Sequence, residues 1–244
     1  MSVVTNASRH PVESLSTGHR VRLPLEVTFD AYGGAFLADA TELRERLPKE
    51  CVPLRMAPGV GIVVLAGVDY RDVGGFEPYE EFAVLVPCVR DGRDLPLVGA
   101  MSGEVGASVD FLPVTTEASV ALGREIWGYP KVVADIKFDR RPGGHLITLR
   151  RDGRLICRLE TPRGRPRGRT TTAKSYTTKG GQTIRTSIEI DGPFTVRPFD
   201  PRVRVECGPA EYGQWLADLL VTRRSIATLN ARRVGGRLHP GKPM

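Results

Sequence analysis

The sequence predicts a β-rich α+β domain. Three observations carry that prediction. From Val60 onward the chain runs in β-branched apolar segments of strand length, "VGIVVLAGVDY", "EEFAVLVPCV", "VGASVDFLPV" and "VVADIKFD", separated by Gly, Pro or Asp turn signals. An Asp152-Gly153 pair divides the alternating segments of "HLITLRRDGRLICRLE", which marks a tight hairpin and therefore antiparallel pairing. Helical periodicity is confined to one early and one late stretch. Strands of this kind bury an inner face, so the sheet is expected to be closed or stacked.

Taken in order, residues 1–20 are polar and unpatterned, and are expected to form a mobile N-terminal arm. "DATELRERLPKE" is predicted as a short helix: Asp39 and Thr41 are candidate N-caps, Leu43 and Leu47 share a face, and Pro48 stops it. The strands above follow, and "TIRTSIEID" and "FTVRPFD" extend the sheet. The Arg/Gly/Pro/Thr stretch at 162–172 reads as a turn or flexible loop. "AEYGQWLADLLVTRR" places Tyr212, Trp215, Leu216, Leu219 and Leu220 on one helical stripe, suited to a core or an interface. One domain over 21–230 is expected, with 231–244 as a basic C-terminal tail.

Composition narrows the function. With 244 residues, 41% apolar and 26% charged, the chain has an ordinary globular balance and enough length for a substantial core. The net charge of +7 is mostly arginine, in the Arg163, Arg165, Arg167 and Arg169 run and near the C-terminus. Neither stretch interleaves aromatics that stack on bases, so a solvated loop and tail are expected, and nucleic acid is not an expected partner. Cys51, Cys88, Cys157 and Cys207 form no CxxC pair or Cys/His cluster; they fill core space, and no metal site is expected. The N-terminus has no basic start leading into an apolar run, and no apolar stretch reaches about 18 residues, so the expectation is a soluble cytoplasmic protein without a membrane partner. Dinucleotide-binding, P-loop, nucleophile-elbow and zinc-protease signatures are all lacking. His10, His19 and His239 fall in the expected termini and His145 beside a Gly-Gly turn, which leaves lysines and carboxylates for acid–base work.

Lys131 stands out. A lysine ammonium has no lone pair with which to attack, and burial among apolar groups favours the neutral, nucleophilic amine. Ile126, Trp127, Tyr129, Val132, Val133 and Ile136 surround it in sequence, and Pro130 fixes one backbone angle of the approach. The residues alone equally allow a strand-initiating lysine whose stem packs on Trp127 or Tyr129 while its ammonium stays in water. Glu80, Glu81 and Glu125 read by themselves as surface or strand-edge carboxylates.

"LGREIWGYPK" (122–131) resembles the signature of the acetoacetate decarboxylase family. "DATELRERLP" (39–48) is similar to that family's early helix, "YEEFAVLVP" (79–87) to its glutamate-bearing strand, and "LADLLVTRR" (216–224) to its C-terminal helical segment. The resemblance implies a cone-like, closed antiparallel β-barrel with a few peripheral helices, in a homo-oligomer. It implies that Lys131 forms a Schiff base with a small keto-acid substrate, with Glu81 as the active-site glutamate and Glu80 the one-residue alternative. Arg124 and Glu125 match its motif as structural or pocket-supporting residues, while Trp127 and Tyr129 would shape a dry pocket. No cofactor is required, because the imine is itself the electron sink. The sequence departs from the family where Val132 replaces a second lysine, where an early arginine aligns near Phe29, and where a second glutamate aligns within "GIVVLAG"; Arg20 and Arg22 lie nearby but do not match. The implied activity is a lyase, a decarboxylase of acetoacetate or a related β-keto acid. The alternatives are a Schiff-base aldolase or dehydratase for a larger keto acid, and a non-catalytic ligand- or nucleic-acid-binding protein of the same fold.

Overall fold

A computed structural model describes residues 11–93, 101 and 103–244. The chain begins with a hairpin of β1 (Val12–Ser14) and β2 (Arg20–Arg22), followed by the long β3 (Leu25–Asp39). α1 (Ala40–Glu45) is capped by Asp39, whose Oδ1 accepts from the Thr41 and Glu42 amides at 2.7 and 3.1 Å. Next come β4 (Cys51–Pro53), β5 (Arg55–Ala57), β6 (Val60–Val73), β7 (Tyr79–Arg90) and β8 (Glu104–Val114). α2 (Glu117–Trp127) leads into β9 (Lys131–Val133), and β10 (Asp135–Arg141), β11 (Gly144–Arg151) and β12 (Arg154–Pro162) follow as hairpins. The chain ends through β13 (Gly168–Lys179), β14 (Gln182–Pro198), β15 (Arg204–Cys207), α3 (Glu211–Leu219), β16 (Ala227–Leu238) and β17 (Lys242–Pro243). No described helix is long and apolar enough to cross a membrane.

Seven strands close a ring in the order β7-β6-β3-β16-β14-β13-β8, shut by pairing of β8 with β7. All joints are antiparallel except β13–β8, a short parallel seam. A second sheet, β10-β11-β12-β15, lies against the wall. Its central hairpin turns at Asp152 and Gly153, both at positive φ, as the Asp-Gly pair predicts.

Period-two alternation gives the wall two dry faces. On β7, Tyr79, Ala83 and partly buried Leu85 join an inner cluster with Leu112, Val114, Trp127 and Tyr129. Phe82, Val84, Val86 and Cys88 point the other way and bury against Ile147, Leu149 and Leu159 of the second sheet. Both sides of β7 are therefore apolar, which is why the sequence reads as a nearly continuous hydrophobic run.

Several expectations change. Residues 11–20 form a docked hairpin rather than an arm, with Leu15 and Val21 buried; residues 1–10 lie outside the described set. Residues 231–238 are no tail but the second half of β16, where buried Ala231 and Val234 flank the arginines, and Lys242 and Pro243 pair with β14. The 162–172 loop ends early, because Thr170, Thr171 and Thr172 already belong to β13. β3 escaped sequence reading because Gly33 and Gly34 interrupt it; a Cβ on Gly33 would lie 2.2 Å from the Leu65 carbonyl oxygen, so close wall packing requires the glycine. α2 escaped because Val120 and Gly123 weaken its helical signal.

Candidate active site

The segment "GREIWGYPK" is a device for placing one amine. Thr116 caps α2 by accepting from the Ser119 amide at 3.2 Å, and Gly128, at φ 69°, ends it in the left-handed region that glycine tolerates. The Gly128 amide donates to the Arg124 carbonyl and the Tyr129 amide to that of Gly123, each at 3.1 Å. The Lys131 amide then donates to the Tyr129 carbonyl at 2.7 Å, a three-residue turn centred on Pro130. Lys131 enters β9 opposite Leu112 in parallel register. Its stem runs back along α2 over Gly123, where a Cβ would stand 2.5 Å from Lys131 Cδ and 2.7 Å from Cε.

The amine ends inside the barrel. Lys131 and Glu81 are 4% and 5% exposed, and Nζ lies 2.8 Å from Glu81 Oε2. That oxygen faces the amine as an ion-pair partner, and the Tyr70 hydroxyl is also within hydrogen-bonding reach of the Glu81 carboxylate. Nζ donates to the Tyr79 hydroxyl at 3.1 Å. Burial, with the Glu81 charge adding to it, holds the Tyr79 phenol well above its ordinary pKa. The same two causes act on Tyr70, whose ring sits 4.7 Å from that of Tyr79 and 5.7 Å from Phe29. Both phenols therefore remain protonated in the pocket. Tyr129 is fixed by a 2.8 Å hydrogen bond between its hydroxyl and Ser175 Oγ. Trp127 donates from Nε1 to the His239 carbonyl at 2.8 Å, and Thr177 Oγ1 donates to the Trp127 carbonyl at 2.6 Å.

The structure thus brings Lys131, Glu81, Trp127 and Tyr129 to one interior. It does not bring Glu80, Arg124 or Glu125 there. Glu80 is one residue out of phase with Glu81, and its Oε2 accepts from Thr115 Oγ1 at 3.1 Å. Arg124 is exposed. Glu125 accepts from the Ser16 amide at 2.9 Å and from the Ser16 hydroxyl, and its carbonyl takes a hydrogen bond from Lys179, so it clips α2 to the first hairpin. Sequence reading missed Tyr79 and Tyr70. Tyr79 was findable, since it stands two residues before Glu81 and must share its face.

A family profile, Acetoacetate decarboxylase (ADC), matches residues 22–200. The chain belongs to that family. A sequence comparison with curated proteins gives no match. Among solved structures, this acetoacetate decarboxylase family chain is similar to an acetoacetate decarboxylase from Legionella pneumophila subsp. pneumophila str. Philadelphia 1, at 18% identity and a TM-score of 0.63 over 91% of this chain and 87% of that one. It is also similar to an acetoacetate decarboxylase-like enzyme from Sphingomonas wittichii RW1, at 19% identity and a TM-score of 0.56 over 94% and 96% of the two chains. A third is the enduracididine biosynthesis enzyme MppR, complexed with the condensation product of pyruvate and imidazole 4-carboxaldehyde, at 15% identity and a TM-score of 0.62 over 90% and 88%. The shared architecture is the closed barrel, which in this family member encloses the Lys131–Glu81 pair.

Proposed function

We propose that this chain is a Schiff-base enzyme in which Lys131 captures the ketone of a small keto acid. The observation that carries the reading is the closed contact between Lys131 Nζ and Glu81, at 2.8 Å in an aromatic pocket. Transfer of one proton from Nζ to Glu81 across that contact frees the amine lone pair. The amine attacks the ketone carbon, and the proton that the newly bonded nitrogen gives up passes to the alkoxide, leaving a neutral carbinolamine. Glu81 then returns its proton to the departing hydroxyl, water leaves, and a protonated imine remains. With a β-keto acid bound, the bond to the carboxylate breaks, its electron pair moves into the imine to give an enamine, and carbon dioxide departs. Protonation of the enamine carbon and hydrolysis of the imine release the ketone and restore Lys131. Tyr79, a protonated phenol 3.1 Å from Nζ, is placed to hydrogen-bond the oxygen of the carbinolamine.

A second reading keeps the imine but ends in condensation or dehydration. It is favoured by Phe29, near which the family's early arginine aligns and whose ring begins a series with Tyr70 and Tyr79, and by Val132 in place of a second lysine. MppR, with its bound pyruvate-derived condensation product, has the same fold.

Borohydride reduction in the presence of acetoacetate, pyruvate and larger keto acids tests the capture step. Peptide mass spectrometry should place the reduced adduct on Lys131 and find none in Lys131→Ala. Absence of label with every ketone removes both readings. Carbon dioxide release from acetoacetate, set against turnover of pyruvate with an aldehyde, distinguishes them.

A further inference from the structure

Arginines from four separate stretches of the chain meet in one cleft. The hollow, about 690 Å³, lies outside the barrel wall, on the face of β3 that carries Asp30 and Tyr32 rather than Phe29 and Ala31. Arg140 and Arg141 come from the end of β10, Arg163 from the loop after β12, Arg232 and Arg233 from β16, and Arg71 from β6. It continues into a second hollow of about 820 Å³ that adds Arg165.

This concentration is built rather than incidental. Successive residues of a regular strand point to opposite faces, yet Arg232 and Arg233 both line the cleft. They can because β16 bulges there: its register against β3 slips between Ala231 and Val234, and Arg233 takes a φ of 49°. Asp30, 7% exposed, pins the bulge by accepting from the Arg233 amide at 2.6 Å. It also accepts from Arg71 Nη2 at 3.0 Å. The Arg163 loop is seated too, since a Cβ on Gly164 would lie 2.3 Å from Asn230 Cγ. Within the lining, His145 Nδ1 and Asn230 Oδ1 have no hydrogen-bond partner among the described residues, although Asn230 is 7% exposed. Arg71 is paired with Asp30 and Asp69, but Arg140, Arg141, Arg163, Arg232 and Arg233 have no carboxylate partner among the described residues.

We propose that this cleft binds a compact polyanion bearing phosphate-type oxyanion groups, at a site separate from Lys131. These five guanidiniums, which have no carboxylate within ion-pair distance among the described residues, repel one another, and a ligand with several adjacent oxyanions relieves that repulsion while using the bidentate geometry of each fork. A concave hollow suits a small molecule, whereas a nucleic-acid duplex is tracked by an open basic surface.

The test is isothermal titration of the full-length protein with inorganic triphosphate and with ATP, at low and moderate salt. Saturable sub-millimolar binding is expected, one ligand per chain, weakened at least about tenfold in Arg232→Ala/Arg233→Ala. The exposed pair Arg20→Ala/Arg22→Ala removes the same charge elsewhere and should bind like the parent. Circular dichroism and unchanged borohydride trapping on Lys131 confirm that the cleft variant is folded. Tighter binding of triphosphate than ATP would assign recognition to the phosphates alone, and the reverse would add a base contact; either supports the site. Absence of binding at low salt, or equal losses in both double variants, overturns it. A short generic DNA duplex that binds more tightly than triphosphate and competes for the same arginines also overturns it in favour of nucleic acid.

Discussion

One missing methyl group decides whether Lys131 reaches its partners. Gly123→Ala would set a Cβ 2.5 Å from Lys131 Cδ, and the stem must shift off α2. We expect a stability loss of about 1–3 kcal/mol in chemical denaturation, as for other overpacked sites. Borohydride labelling should fall far more than stability does, because Nζ is displaced from Glu81. Lys131→Met tests the pair itself: Glu81 is left buried without its cation, a change that costs about 3–5 kcal/mol. Adding Glu81→Gln should recover part of that loss in the same denaturation experiment. At this scale the sequence was most informative. Pro130, the flanking aromatics and the lysine were visible together, and alternation from Tyr79 would have separated Glu81 from Glu80. What could not be read was distance: Lys131 and Glu81 are fifty positions apart, and they meet because β7 and β9 both pair with β8.

The element most exposed to acid is the β8–β13 seam. Its parallel register contains only the pairs Ser175–Ala107 and Tyr176–Ser108. Glu104 reinforces it: Lys174 Nζ lies 2.5 Å away, the Tyr176 hydroxyl donates at 2.9 Å and Arg185 Nη1 at 3.0 Å. Partial burial raises the Glu104 pKa, but the hydrogen bonds from Lys174, Tyr176 and Arg185 outweigh it and bring the group down to about 2. A carboxylate depressed in the folded state stabilises fully above its unfolded pKa of about 4.3, and that contribution disappears as pH falls through the folded value. Urea midpoints should therefore drop between about pH 4.5 and 2, and Glu104→Gln should flatten that drop while lowering stability at pH 7. Elements with clean periodicity, such as β6, β7 and the Asp152-Gly153 hairpin, were legible. β3, α2 and β16 were not, because their glycines and arginines answer to neighbouring elements: Gly33 to Leu65, Gly123 to Lys131, and the Arg232–Arg233 bulge to Asp30.

Across the whole molecule, the barrel wall separates two environments. The outer core, where the second sheet lies on the wall, is distinct from the inner cluster around Lys131. Ile147→Ala, which empties a fully buried outer position, should cost about 2–5 kcal/mol yet leave borohydride labelling of Lys131 intact at 25 °C. Simultaneous loss of both would show that the two faces are not independent. β3 is the strand common to the pocket and to the arginine cleft: Phe29 and Ala31 look inward, Asp30 and Tyr32 outward. A partition one strand thick makes the occupants of its two sides thermodynamic neighbours. Linkage makes any influence between them reciprocal: if triphosphate tightens ketone binding by some factor, the seated ketone must tighten triphosphate by that same factor.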